Sequence, residues 1–280
     1  MNELVLDTES KKHDAKELAY LYDLYVVPTW REVFDRIVDE EIELPKEGKF
    51  LDAECGTGGY TIDLAVRGGA KVNVVGVDSS AERLALARGK AEIQLMKRAT
   101  FQQAAINDLD FPVGEFDLVI GDLTLQPANQ IEAALEELIR VAKKGATVVV
   151  KLITHSSFGE FFSIYWEALY ELGLIESSPQ LEGLIREHMP IGEAEELMMD
   201  SGLQRVRSVT LKETFTFKDA DAFFGNPVIE TRFLDNWLAI LPDQRTRQKV
   251  LEQLTIIIDR ERQQMDFEVS IKATVLIGQK

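Results

Sequence analysis

The chain has 280 residues, 45% hydrophobic and 28% charged, enough for one large domain with a full core. Its formal net charge is −17, with no run of clustered Lys and Arg, so nucleic acid is not expected as a partner. The single cysteine, Cys55, excludes an internal disulfide and fits a reducing interior.

The opening MNELVLDTESKKHD lacks a signal-peptide pattern, and the first dozen residues are expected to fray. No apolar run reaches membrane-spanning length, so a cytoplasmic location is expected. A helix is predicted over 15–25, broken before Pro28. Thr29-Trp30-Arg31-Glu32 then reads as a capping box, and Trp30, Val33, Phe34, Ile37 and Val38 recur at helical spacing up to Leu44-Pro45.

From there strand and helix alternate. Strands are predicted over 49–53, 72–77, 100–104, 116–120 and 147–153, with helices over 60–66, from the cap at Ser79-Ser80-Ala81-Glu82 to about Met96, and over 130–144, closed by Gly145. Ser157-Phe158-Gly159-Glu160 caps an aromatic-rich helix, and 193–199 is helical. A strand over 206–217, helices over 220–241 and 243–264, and a strand over 267–277 complete the chain, with the last two strands paired antiparallel at one edge. The fold class is therefore α/β, a doubly wound, mostly parallel seven-stranded sheet with an antiparallel C-terminal strand and an inserted helical lid. The expected division is an N-terminal helical segment (1–45), a core (46–154), a lid (155–192) and the rest of the sheet with two inserted helices (193–280).

The loop in FLDAECGTGG follows the first strand and opens the first helix of that alternation, where ligands of open parallel sheets bind. Gly56 and Gly58 permit close backbone approach, and Asp78 ends the second strand about twenty residues on, where a carboxylate reaches ribose hydroxyls. A nucleoside site follows. A dinucleotide fingerprint needs a third glycine where this chain has Thr61, which speaks against a nicotinamide-dependent oxidoreductase.

The arrangement Asp-x-x-x-Gly-x-Gly resembles the first motif of class I S-adenosylmethionine-dependent methyltransferases. VVGVDSS, FPVGEFDLVIGD, RVAKKGATVVV and the closing ETFTF and DFEVSIKATVLIG are similar to later parts of that Rossmann-like fold, over 46–154 and in outline over 194–280. The branch it looks closest to methylates small molecules, including quinone precursors. The resemblance implies S-adenosyl-L-methionine as cofactor, with Asp52, Ala53, Glu54, Gly56 and Gly58 around its methionine part. It implies Asp78 on the ribose, Ser79, Ala105 and Ile106 at the adenine, Asp122 and Leu123 near the methyl group, and Tyr22 or Tyr25 over the methionine carboxylate. Three positions depart from the pattern: Glu54 stands at its first glycine, Ala105 at a common acidic position and Lys144 at a frequent proline.

A general base is needed only where the nucleophile must lose a proton. His155, directly after the fifth strand, is the first candidate and His188 the second; a surface or capping role is the plain alternative for each. No metal site is expected. The aromatics of 158–169, with Trp30, Phe223, Phe224 and Trp237, read first as core and second as walls of an apolar pocket. The function expected is methyl transfer to an unidentified small molecule. The rival is a non-catalytic protein of the same fold whose cofactor loop Glu54 impairs; the oligomeric state stays open.

Overall fold

The computed structural model describes residues 14–261 and 266–280; the predicted fraying of the first dozen residues and the helix end at 264 lie outside that range. Helix α1 (Ala15–Leu21) is capped by Asp14, whose carboxylate accepts from the Glu17 amide at 2.7 Å. The expected break before Pro28 does not occur. The chain continues through a π-helix, Tyr22–Arg31, that contains Pro28, and then into α2 (Glu32–Glu41). The Glu32 amide reaches the Val27 carbonyl, five residues back. This wider register lessens the clash a proline makes with the carbonyl four residues before it. It also keeps Tyr22, Val26, Trp30 and Arg31 together as the buried face. Thr29 donates to the Tyr25 carbonyl, so the predicted capping box is not formed.

The sheet has seven strands: β1 (Gly48–Ala53), β2 (Val72–Asp78), β3 (Ala99–Gln103), β4 (Phe116–Asp122), β5 (Ala142–Ile153), β6 (Gln204–Phe217) and β7 (Phe267–Gln279). Their order is β3-β2-β1-β4-β5-β7-β6, with β1 to β5 parallel and β7 antiparallel to both β5 and β6. Successive residues point to opposite faces, which divides the core in two. Phe50, Val74 and Val149 pack on one side, with α2, α3 (Gly59–Arg67) and the inserted helices, while Leu51, Val75 and Val148 pack on the other, with α5 (Ile131–Val141). Helix α4 (Ala81–Ile93) is capped by Ser80, whose hydroxyl accepts from the Arg83 amide at 3.2 Å, as its sequence predicts.

Three boundaries differ from expectation. Helix α5 ends at Val141, and 142–144 belong to β5, because Ala142 pairs with Phe116 across the sheet. Ser157 and Glu160 do not cap α6 (Gly159–Glu171). Ser157 Oγ accepts from the Lys272 amide (2.8 Å) and Glu160 from the Ser270 hydroxyl (2.7 Å), so both brace β7 instead. After α7 (Ser178–Arg186) and α8 (Ile191–Asp200), the helix predicted over 220–241 is split into α9 (Ala220–Phe224), a π-turn (Ile229–Phe233) and α10 (Leu234–Ala239). Gly225-Asn226-Pro227 supplies the break, with Asn226 Oδ1 accepting from the Val228 amide at 3.0 Å. Helix α11 (Gln244–Glu261) then leads toward β7. Among the described residues no helix is long and apolar enough to cross a membrane.

Candidate active site

The order of the sheet reverses between β1 and β4, and the loop after β1 sits at that point. Gly56 (φ +57°) and Gly58 (φ +76°) are both left-handed. Glu54 shares that conformation at φ +60°, which costs a side-chain-bearing residue about 1–2 kcal/mol. The loop is nevertheless well tied. The Cys55 amide donates to the Val77 carbonyl (2.8 Å), the Gly56 amide to Asp78 Oδ2 (2.9 Å), and Arg31 Nη1 to the Glu54 carbonyl. Burial and the neighbouring charge of Asp78 push the Glu54 carboxyl up to about 7, against the pull of Arg83 and Arg31.

Around the loop lies a charged shell. Asp78 is wholly buried, accepting from the Ser80 amide at 2.8 Å and pairing with Arg83 at 3.1 Å. The Arg83 guanidinium lies 4.8 Å from the Tyr22 ring centroid, and Arg31 donates to the Tyr22 hydroxyl at 2.7 Å. Arg31 also pairs with Asp122 at 3.3 Å. Burial pushes the Asp122 carboxyl up, but Arg31, Lys151 and the Thr124 hydrogen bonds outweigh it and hold the carboxyl below the usual range. Thr124 Oγ1 donates to Asp122 (2.6 Å) and accepts from the Trp30 indole (3.0 Å), which joins the N-terminal segment to the end of β4. Under the loop, Asp52 Oδ2 accepts from Thr61 at 2.5 Å, while its Oδ1 is buried with no hydrogen-bond partner. Burial raises the Asp52 carboxyl despite Lys151 and Arg31.

This loop and sheet order can be set beside known proteins. Residues 44–172 match the methyltransferase domain family. The chain is 32% identical over 120 residues to the demethylmenaquinone methyltransferase of Lactococcus lactis, covering 42% of this chain and 48% of that protein. It is 26% identical over 157 residues to a ubiquinone/menaquinone biosynthesis C-methyltransferase of Geotalea daltonii, covering 56% and 63%. The phosphoethanolamine N-methyltransferase 2 of Haemonchus contortus, solved with S-adenosyl-L-methionine, superposes with a TM-score of 0.56 at 14% identity over 97% of this chain and 58% of that one. Over residues 44–172 the chain is thus similar to S-adenosylmethionine-dependent methyltransferases, and its sheet has their Rossmann-like fold. The matched stretch spans about half to two-thirds of the length of these two bacterial relatives.

Most of the residues singled out in the sequence lie at or just after the carboxyl ends of β1 to β4. Asp52, Ala53, Glu54, Gly56, Gly58, Asp78, Ile106 and Leu123 are buried, whereas Ser79 and Ala105 are exposed. Tyr22 packs on the loop, while Tyr25 is 47% exposed on the outer side of the segment. The two histidines part company. His155 is exposed, whereas His188 lines a cavity of about 520 Å³ between the ends of β4 and β5 and the inserted helices. Leu123, Thr124, Ile153, Phe233 and Trp237 form its apolar and aromatic walls. Phe158, Phe161 and Phe223 are core, with Phe161 stacked on Trp237 at 4.4 Å. Arg31, Arg83, Thr124 and Lys151 escaped the sequence reading. Lys151 alone had a legible signal, a lone lysine inside the apolar strand VVVKLI.

Gly56 is the tightest point of the loop after β1, since a Cβ there would stand 2.5 Å from Tyr22 Cε1. Gly56→Ala is expected to expel the Tyr22 ring and to destabilise the fold by about 1–2 kcal/mol from the left-handed backbone alone. Urea denaturation with Tyr22→Ala as background measures the ring's share; equal losses in both backgrounds would mean that ring and loop do not touch.

Proposed function

We propose that the chain is an S-adenosylmethionine-dependent methyltransferase acting on a small molecule in the cytoplasm. The observation that carries this reading is the left-handed Gly56-to-Gly58 loop at the reversal of strand order, held against Asp78, with an aromatic cavity at the end of the neighbouring β4. The residues suit the cofactor in type. The orphaned Asp52 Oδ1 can accept from an ammonium group, Asp78 from a ribose diol, and Ile106 can pack on an adenine that Ser79 and Ala105 leave open to solvent. Asp78 already accepts from two amides and Arg83, so a diol takes the place of Arg83 on that carboxylate. When bound, the cofactor supplies an activated methyl group, and the protein's part is alignment and exclusion of water.

Of His155 and His188, the latter lines the cavity and is the one available to a substrate there. Burial and the charge of His155 lower it to about 4, so its imidazole is neutral at physiological pH and accepts a hydrogen bond there. The bacterial relatives named above act in quinone biosynthesis, and a ring of that kind suits walls made by Phe233 and Trp237.

The rival is the non-catalytic reading; the whole of 51–58 is buried, so entry of the cofactor requires the N-terminal segment to yield. Thermal unfolding with S-adenosylhomocysteine decides. At a hundredfold excess over the dissociation constant, stabilisation of about 2.7 kcal/mol is expected. No stabilisation by it or by S-adenosylmethionine, recovered in Glu54→Gly, would establish the rival.

A further inference from the structure

The cavity at the ends of β4 and β5 carries one feature that methyl transfer does not use. Arg232, on the π-turn Ile229–Phe233, lines it and is exposed to solvent. Its guanidinium has no ion pair or hydrogen bond among the described residues. The other guanidiniums of the crevice are engaged, Arg31 with Tyr22 and Asp122 and Arg83 with Asp78. Glu187, the acid on the same cavity wall, accepts from the Asn236 amide at 3.1 Å and does not reach Arg232. Burial and the charge of Arg83 lower the Arg232 guanidinium, against the pull of Tyr22, Glu54 and Asp78. In a chain of net charge −17 the long-range field repels anions, so an anionic ligand needs such a local cation to be held.

The walls define the rest of the ligand. Phe233 and Trp237 lie 5.4 Å apart with their planes at 21°, opposite Leu123 and Ile153 in a space of about 520 Å³. We infer that this cavity binds a flat apolar small molecule bearing a carboxylate or phosphate, its oxyanion paired with Arg232 and its ring against Phe233 and Trp237. Arg232 is thus a binding residue that selects anionic over neutral substrates. The inference rests on the methyl-transfer reading only for the reaction that the bound molecule then undergoes.

Calorimetric titration of the full chain with benzoate, phenyl phosphate and benzyl alcohol, with and without S-adenosylhomocysteine, tests it. One of the two anions is expected to bind roughly tenfold or more tighter than benzyl alcohol, since a guanidinium–oxyanion pair in a half-enclosed site is worth at least that. Which anion wins separates carboxylate from phosphate. Arg232→Gln should remove the preference, Arg232→Lys should keep part of it, and added salt should weaken it. Anions binding no tighter than the alcohol, or not at all, overturn the inference. So does an anion preference untouched by Arg232→Gln. Loss of S-adenosylhomocysteine binding in that variant with anion binding unchanged would assign Arg232 to the cofactor and overturn it as well. An intact anion preference in a protein that never binds S-adenosylhomocysteine would refute the methyl-transfer reading alone.

Discussion

Glu54→Gln is expected to raise stability at pH 8 while leaving it nearly unchanged at pH 4. The carboxyl is raised from 4.5 to about 7 in the folded chain, so folding takes up a proton within that window. Stability therefore falls as pH rises through it and levels off above it. The shift corresponds to about 3 kcal/mol at most, because each unit is worth about 1.4 kcal/mol and the coupling to Asp78 spreads the effect. Gln keeps the shape and the left-handed backbone, so it isolates the charge. Glu54→Gly should add the relief of that backbone, about 1–2 kcal/mol, at every pH. Urea midpoints at pH 4, 6 and 8 for the three proteins measure both contributions. Parallel pH profiles for wild type and Glu54→Gln would show that the carboxyl titrates in its ordinary range.

Lys151→Met is expected to cost about 3–5 kcal/mol, since it leaves buried acids without their cation. Lys151 is fully buried on β5, paired with Asp35 of α2, its ammonium 4.5 Å from the Tyr60 ring centroid. It also favours the charged forms of Asp52 and Asp122. Burial already raises the Asp35 carboxyl, so the loss should shrink at low pH, where that group can be neutralised by a proton. Lys151→Met with Asp35→Leu should recover most of the loss, because two apolar groups replace the pair. Guanidinium or urea denaturation decides; a loss near zero in the single variant would mean that water reaches the ammonium.

What could be read locally came through. The alternation of apolar strands and amphipathic helices, the glycine loop, the Asp78 strand end and the Ser80 cap each depend on neighbours within a few residues, and the structure contains all of them. The places where local rules failed are those where packing overrode them. Pro28 and Thr29 read as a stop and a cap, yet burial of Tyr22, Val26, Trp30 and Arg31 on one face drew the segment into a continuous π-helix. The sequence also does not tell that His188, from the inserted helices, lines the cavity while His155, directly after β5, is exposed.

By itself the sequence determined the sheet, the turn and the kind of ligand the turn can hold, because periodicity and backbone freedom are properties of short stretches. Only the tertiary structure decided which charges meet. Arg31 meets Asp122 from a distant part of the chain and Lys151 reaches Asp35 across 116 positions, and no local pattern specifies contacts at such separations. Burial beside Asp78 sets the protonation of Glu54 in the same way, and among the described residues Arg232 is left without a partner.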